Sequence, residues 1–123
     1  VMSERKSIIK DRSFVFAVRI VKLYKYLVET KRGFVLSKQL LRSGTAVGAL
    51  VSEAQNAESK ADFIHKLGIA QKECDETIYW LELLKETDYL AEKEFESMNT
   101  EADELLKMLK SAIITTKNKT HQS

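Results

Sequence analysis

The sequence predicts an all-α chain folded as an antiparallel up-down-up-down four-helix bundle. Three observations predict it. Proline is absent and glycine occurs only four times, so few residues break a helix. Four segments carry apolar residues at spacings of three and four, the period of one helix face. The connections between these segments are short, which favours antiparallel neighbours.

The first helix is read over residues 13–30. Phe14, Ala17, Val21, Tyr24 and Val28 form its stripe, widened by Ile20 and Leu27. Residues 1–10 read as a loose lead-in. Gly33, after Lys31 and Arg32, reads as a stop signal with cations at the negative end of the helix dipole.

The second helix is read over residues 36–56, with Leu36, Leu40, Val47, Leu50, Val51 and Ala54 as its apolar positions. Ser43, Gly44, Thr45, Ala46, Gly48 and Ala49 lie between them. This small-residue face admits a neighbouring backbone at close range. Each mid-helix glycine costs roughly 1 kcal/mol against alanine, so packing or binding must offset it.

Ser59 reads as the N-cap of the third helix, with Asp62 three residues on. Its seam is Phe63, Leu67, Ala70, Cys74, Thr77, Leu81 and Leu84, and it runs to residue 86. The fourth helix is read over residues 91–116, with Phe95, Met98, Ala102, Leu105, Leu109 and Ala112 inward. Residues 117–123 read as a frayed polar tail.

At 123 residues the chain has room for one domain, which buries roughly two thirds of its unfolded surface. The longest apolar run, Phe14 to Val18, cannot span a bilayer, so no membrane partner is expected. Ser7 to Lys10 is too short for a signal peptide. Cys74 is the single cysteine, which excludes an internal disulfide and fits a reducing cytoplasm.

The charge is split along the chain. Residues 1–50 carry 11 Lys/Arg against 3 Asp/Glu, and residues 51–123 carry 9 against 15, leaving +8 and −6. A basic half can meet a polyanion, or the acidic half of another copy. Arg19, Lys22, Lys25, Lys31, Arg32, Lys38 and Arg42 are the cations of the first two helices. They make a candidate nucleic-acid surface, with a solvated or intersubunit face as the alternative. No interleaved aromatics suggest base stacking, and the pI of 8.6 is modest for a nucleic-acid domain.

Chemistry-bearing motifs are scarce. His65 and His121 lack metal-ligand spacing, and no phosphate-binding glycine loop occurs. No cofactor, metal or catalytic set is expected, and the chain does not read as an enzyme. Glu73 and Glu76 stand three apart on one helix face, without the Glu-x-x-His of di-iron bundles. Gln39, Arg42 and Ser43 share one side of the second helix, with Glu53 near Arg42's azimuth three turns on. They line a groove or an intersubunit contact, or they are simply exposed.

Residues 37–49, from Ser37-Lys38-Gln39-Leu40-Leu41-Arg42-Ser43 to Ala49, together with Glu53-Ala54, resemble a signature of the 23S rRNA intervening-sequence protein family. Members are usually called four helix bundle proteins. Residues 69–81, Ile69 to Leu81, resemble its second signature, and the resemblance spans residues 6–117. It implies a small bacterial cytoplasmic protein assembled as a homopentameric ring. It also implies kinship with the accessory variability proteins of diversity-generating retroelements, which bind nucleic acid and a reverse transcriptase. The recurrent polar positions carry over to Gln39, Arg42, Ser43, Glu53, Glu73 and Glu76. Leu50 stands where the family usually has Asn, which alters any groove that Asn would serve.

Overall fold

The computed structural model describes residues 2–31 and 34–122, with side chains described for residues 8–30 and 34–119. Among the described residues there are four α-helices and no strand: α1 (Met2–Tyr26), α2 (Phe34–Ala54), α3 (Lys60–Glu86) and α4 (Glu92–Gln122). A π-helical turn, Leu27–Lys31, follows α1.

Side-chain pairings fix the topology. Gly44 faces Ile20 and Gly48 faces Ser13, so α2 runs against α1. Ser43 meets Thr77 and Glu53 meets Lys66, so α3 runs against α2. Cys74 meets Ala102 and Lys85 lies over Phe95, so α4 runs against α3. Arg12 meets Glu104 and Arg19 meets Glu94, so α4 also runs against α1. This is the up-down-up-down bundle that the sequence predicts. The α1–α4 seam is by far the sparsest of the four.

The third helix matches its reading throughout. All seven seam residues are buried, and Ser59 caps it by accepting from the Asp62 N–H at 3.0 Å. On α4, Phe95, Met98, Ala102, Leu105 and Leu109 are buried, while Ala112 packs half-buried at the core's edge. The helix continues to Gln122 instead of fraying from residue 117, with Thr116 buried on its inner face.

The first helix departs from its reading in two ways. It begins at Met2, so residues 2–10 are helical rather than a loose lead-in. Nothing in that segment breaks a helix, and Ile9 anchors it in the core. The buried stripe is Ile9, Ser13, Phe16, Ile20, Leu23 and Leu27. The expected stripe is therefore displaced: Ala17, Val21, Tyr24 and Val28 flank the core, and Phe14 points outward, 67% exposed. The segment is apolar around more than half its circumference, so spacing alone leaves its phase open. The stop signal expected at Arg32 and Gly33 lies outside the described residues.

Packing accounts for the small-residue face of α2. A Cβ at Gly44 would fall 2.7–2.9 Å from three side-chain carbons of Ile20. A Cβ at Gly48 would fall 3.1 Å from the Ser13 carbonyl oxygen. Gly68 on α3 has nothing within 4 Å of such an atom.

Two substitutions separate these roles. Gly44→Ala should lose about 1–3 kcal/mol through overpacking against the buried, β-branched Ile20. Gly68→Ala should gain about 0.5–1 kcal/mol from helix propensity. Urea denaturation midpoints check both, and equal effects at the two sites would refute the packing account.

Candidate functional site

The recurrent polar positions converge mainly on the α2–α3 seam. Arg42 projects from α2 between two carboxylates one helical turn apart on α3. Its Nη1 donates to both oxygens of Glu73 at 3.2 Å, and its Nη2 pairs with Glu76 Oε2. Spacing of three puts Glu73 and Glu76 on the same side of α3, which lets one planar guanidinium serve both. Half the Arg42 side chain remains exposed, so water screens the cluster and its net stabilisation is small.

Beneath it the Ser43 and Thr77 hydroxyls lie 3.0 Å apart, both fully buried. Thr77 also reaches the Glu73 carbonyl at 2.8 Å, and Ser43 the Leu40 carbonyl at 3.4 Å. These bonds satisfy polar groups that burial would otherwise penalise, and they lock the register of α2 on α3. Gln39 is exposed. Glu53 lies apart, 4.0 Å from Lys66. The six positions thus supply one ion cluster of three, one half of a buried hydroxyl pair with Thr77, and two outliers. Leu50, at the family's usual Asn, packs half-buried against the core.

The basic residues do not form one face. Arg19 turns to the α1–α4 seam, where Nη1 donates to Glu101 Oε1 at 3.0 Å and Nη2 to Ser97 Oγ at 3.0 Å. Glu94 Oε1 lies 3.7 Å from the same Nη2. Arg12 pairs with Glu104 at 2.6 Å in the same seam. Arg42 lies on the α2–α3 side. Lys22, Lys25 and Lys38 are exposed and make no ion pair among the described residues. The side chains of Lys31 and Arg32 lie outside the described residues.

Sequence reading missed the α1–α4 ion ladder. Its signal was available: Arg12 and Arg19 are seven residues apart, and so are Glu94 and Glu101. It also missed the outward apolar strip of α1, where Phe14, Val15 and Val18 are 67%, 52% and 37% exposed.

Cys74 is buried, and its thiol donates to the Ala102 carbonyl at 3.4 Å. Burial, followed by the nearby Asp75 and Asp103 carboxylates, pushes its pKa from 9.0 up to about 12. A thiol held in that form is a packing group rather than a nucleophile. Among the described residues no group of three His, Cys, Asp or Glu side chains is placed to hold a metal, and no helix is long and apolar enough to cross a membrane.

Because the folded thiol ionises at higher pH than the unfolded one, its contribution to stability is complete below pH 9. It declines as pH rises from 9 towards 12. Cys74 should therefore resist a thiol reagent at pH 8 until denaturant unfolds the chain. Absorbance-monitored labelling checks this, and rapid labelling of folded protein would contradict it.

The sequence profile of the 23S rRNA-intervening sequence protein family matches residues 5–111. A crystal structure from Bacteroides thetaiotaomicron VPI-5482, a protein with unknown function from the S23 ribosomal protein family, is 53% identical to this chain. The alignment covers 89% of this chain and 97% of that one, with a TM-score of 0.87. No curated protein matches the chain.

Proposed function

Because the chain belongs to the 23S rRNA-intervening sequence protein family, we propose that it is a non-enzymatic, self-associating bundle that contacts RNA or DNA. The observation that carries the self-association is the outer face of α1. Phe14 and Val18, one turn apart, and Val15 beside them, all point to solvent. A contiguous apolar strip on a helix that already has its core partners marks an interaction surface. A ring of five in the bacterial cytoplasm is the assembly that the family resemblance implies.

Nucleic-acid contact rests on Lys22, Lys25 and Lys38. They are exposed cations on the first two helices, without an acidic partner among the described residues. Phosphates can replace the counterions such lysines otherwise attract. The family's name, which ties its members to intervening sequences of 23S rRNA, makes RNA the first ligand to try.

A second reading is an adaptor that binds protein and no nucleic acid. The neutralisation of Arg12, Arg19 and Arg42 by the chain's own acidic half favours it. With those three engaged, fewer cations are left for a polyanion.

Light scattering at physiological salt should give an oligomer, and Phe14→Ser with Val18→Ser should shift it towards monomer. A monomeric parent protein would end the self-association proposal. Gel shifts at low salt should retain RNA or DNA. Replacing Lys22, Lys25 and Lys38 with Gln should lower the log-log salt slope by about 1 each. Absence of any retention would leave the adaptor reading.

A further inference from the structure

The sparse α1–α4 seam opens at one end of the bundle into a cleft of about 720 Å³, within the range of small-ligand sites. Arg19, Lys22 and Tyr26 from α1 and Lys93, Glu94 and Ser97 from α4 line it over an apolar floor that includes Leu23 and Leu90. Among its cations Arg19 is offset by Glu94 and Glu101, which leaves two ammonium groups, Lys22 and Lys93, that no carboxylate pairs among the described residues. This is unexpected where half the wall comes from the acidic part of the chain. Lys93 is a cation in an otherwise acidic first turn, and it shares the cleft with Lys22 of the opposite helix.

We propose that this cleft binds the phosphate monoester of a nucleotide, either a free nucleotide or the phosphorylated end of a nucleic-acid chain. The proposal deepens the nucleic-acid part of the reading above. Charge decides between a monoester and an internal phosphodiester. A monoester carries about −1.5 to −2 at pH 7, close to one charge for each of the two unpaired ammonium groups, whereas a diester carries only one charge. Arg19 is held in place by Glu101 and Ser97, so it presents a fixed guanidinium. Lys22 and Lys93 make no ion pair among the described residues and supply mobile ammonium groups from two helices. Tyr26, half-exposed at the cleft wall, offers a ring on which a base can stack.

The start of α4 adds to this. Its first helical bond is Phe95 N–H to the Ala91 carbonyl at 2.9 Å, and Ala91 brings no side-chain acceptor to the N–H groups that follow. Those donors sit at the positive end of the helix dipole, beside the cleft. The adjoining hollow of about 460 Å³ is unsuited to an anion, since Glu86, Asp88 and Glu92 line it against Lys85. The phosphate is thus directed to the Lys22–Lys93 side of Leu90.

Lys93 tests the proposal because it lies outside the lysines invoked for general nucleic-acid contact. Calorimetric titration would compare adenosine monophosphate with adenosine, and a 5′-phosphorylated RNA hexamer with its 5′-hydroxyl form. Binding of at least one phosphorylated probe should exceed that of its partner by about tenfold. Lys93→Gln should remove that preference, and Lys93→Arg should keep it. Preference for the mononucleotide alone identifies a free nucleotide, and preference for the hexamer alone identifies a chain end. Equal binding within both pairs, or an unchanged preference in Lys93→Gln, overturns the cleft. If the 5′-hydroxyl hexamer still binds and depends on Lys25 and Lys38, general nucleic-acid contact survives that failure. If adenosine monophosphate binds and no RNA does, the cleft stands and general contact falls.

Discussion

The close approach of α1 to α2 is the constraint on which the other faces depend. Gly44 leaves room for Ile20, and Gly48 brings α2 almost against the Ser13 carbonyl. Two helices this near cannot rotate freely about their axes, because any turn would drive a side chain into backbone. The contact therefore fixes which side of α1 is inside. Phe16, Ile20 and Leu23 go to the core, and Phe14, Val15 and Val18 are left in water. It also aims Arg12 and Arg19 at α4, sets Lys22 at the edge of the α1–α4 cleft and leaves Lys25 outward. The surface chemistry of α1 is thus a consequence of two absent methyl groups on its neighbour.

The charge split along the chain has a local use. The two basic helices lie side by side, as do the two acidic ones, so two of the four seams, α1–α4 and α2–α3, set opposite charges against each other. Arg12 and Arg19 meet α4, and Arg42 meets α3. These pairs are partly exposed and individually worth little. The asymmetry that suggests attraction between subunits is satisfied within one at Arg12, Arg19 and Arg42.

How much of this could be read from the sequence differs by element. The α3 seam was legible to the residue, because Phe63, Leu67, Ala70, Cys74, Thr77, Leu81 and Leu84 step by four and three without a break and Ser59 marks the helix start. The α4 core was nearly as clear. The phase of α1 was not, since its apolar residues surround more than half the helix and only the tertiary contact at Ser13 selects among them. Residues 2–10 were read as loose because isolated Ile8 and Ile9 give no period, while in the fold Ile9 extends the buried stripe. Among the site residues, Arg42, Glu73 and Glu76 stood within a group of six polar positions, and the fold brings these three into contact. Glu53 was grouped with them by azimuth, but three turns of helix separate it from Arg42 along the axis and bring it to Lys66. The cleft was invisible, because Lys93 lies 71 residues along the chain from Lys22 and 74 from Arg19.

The π-helical turn after α1 has a bearing on how such chains diverge. That turn holds one residue more than an α-helical one. Deleting a single residue from Leu27–Lys31 would let the backbone relax to regular helix without rotating Ile9 through Leu23 out of the interior. The same deletion in the middle of α1 would swing everything beyond it by about 100°. A chain one residue shorter at this turn can therefore thread the same bundle with the buried stripe of α1 in place.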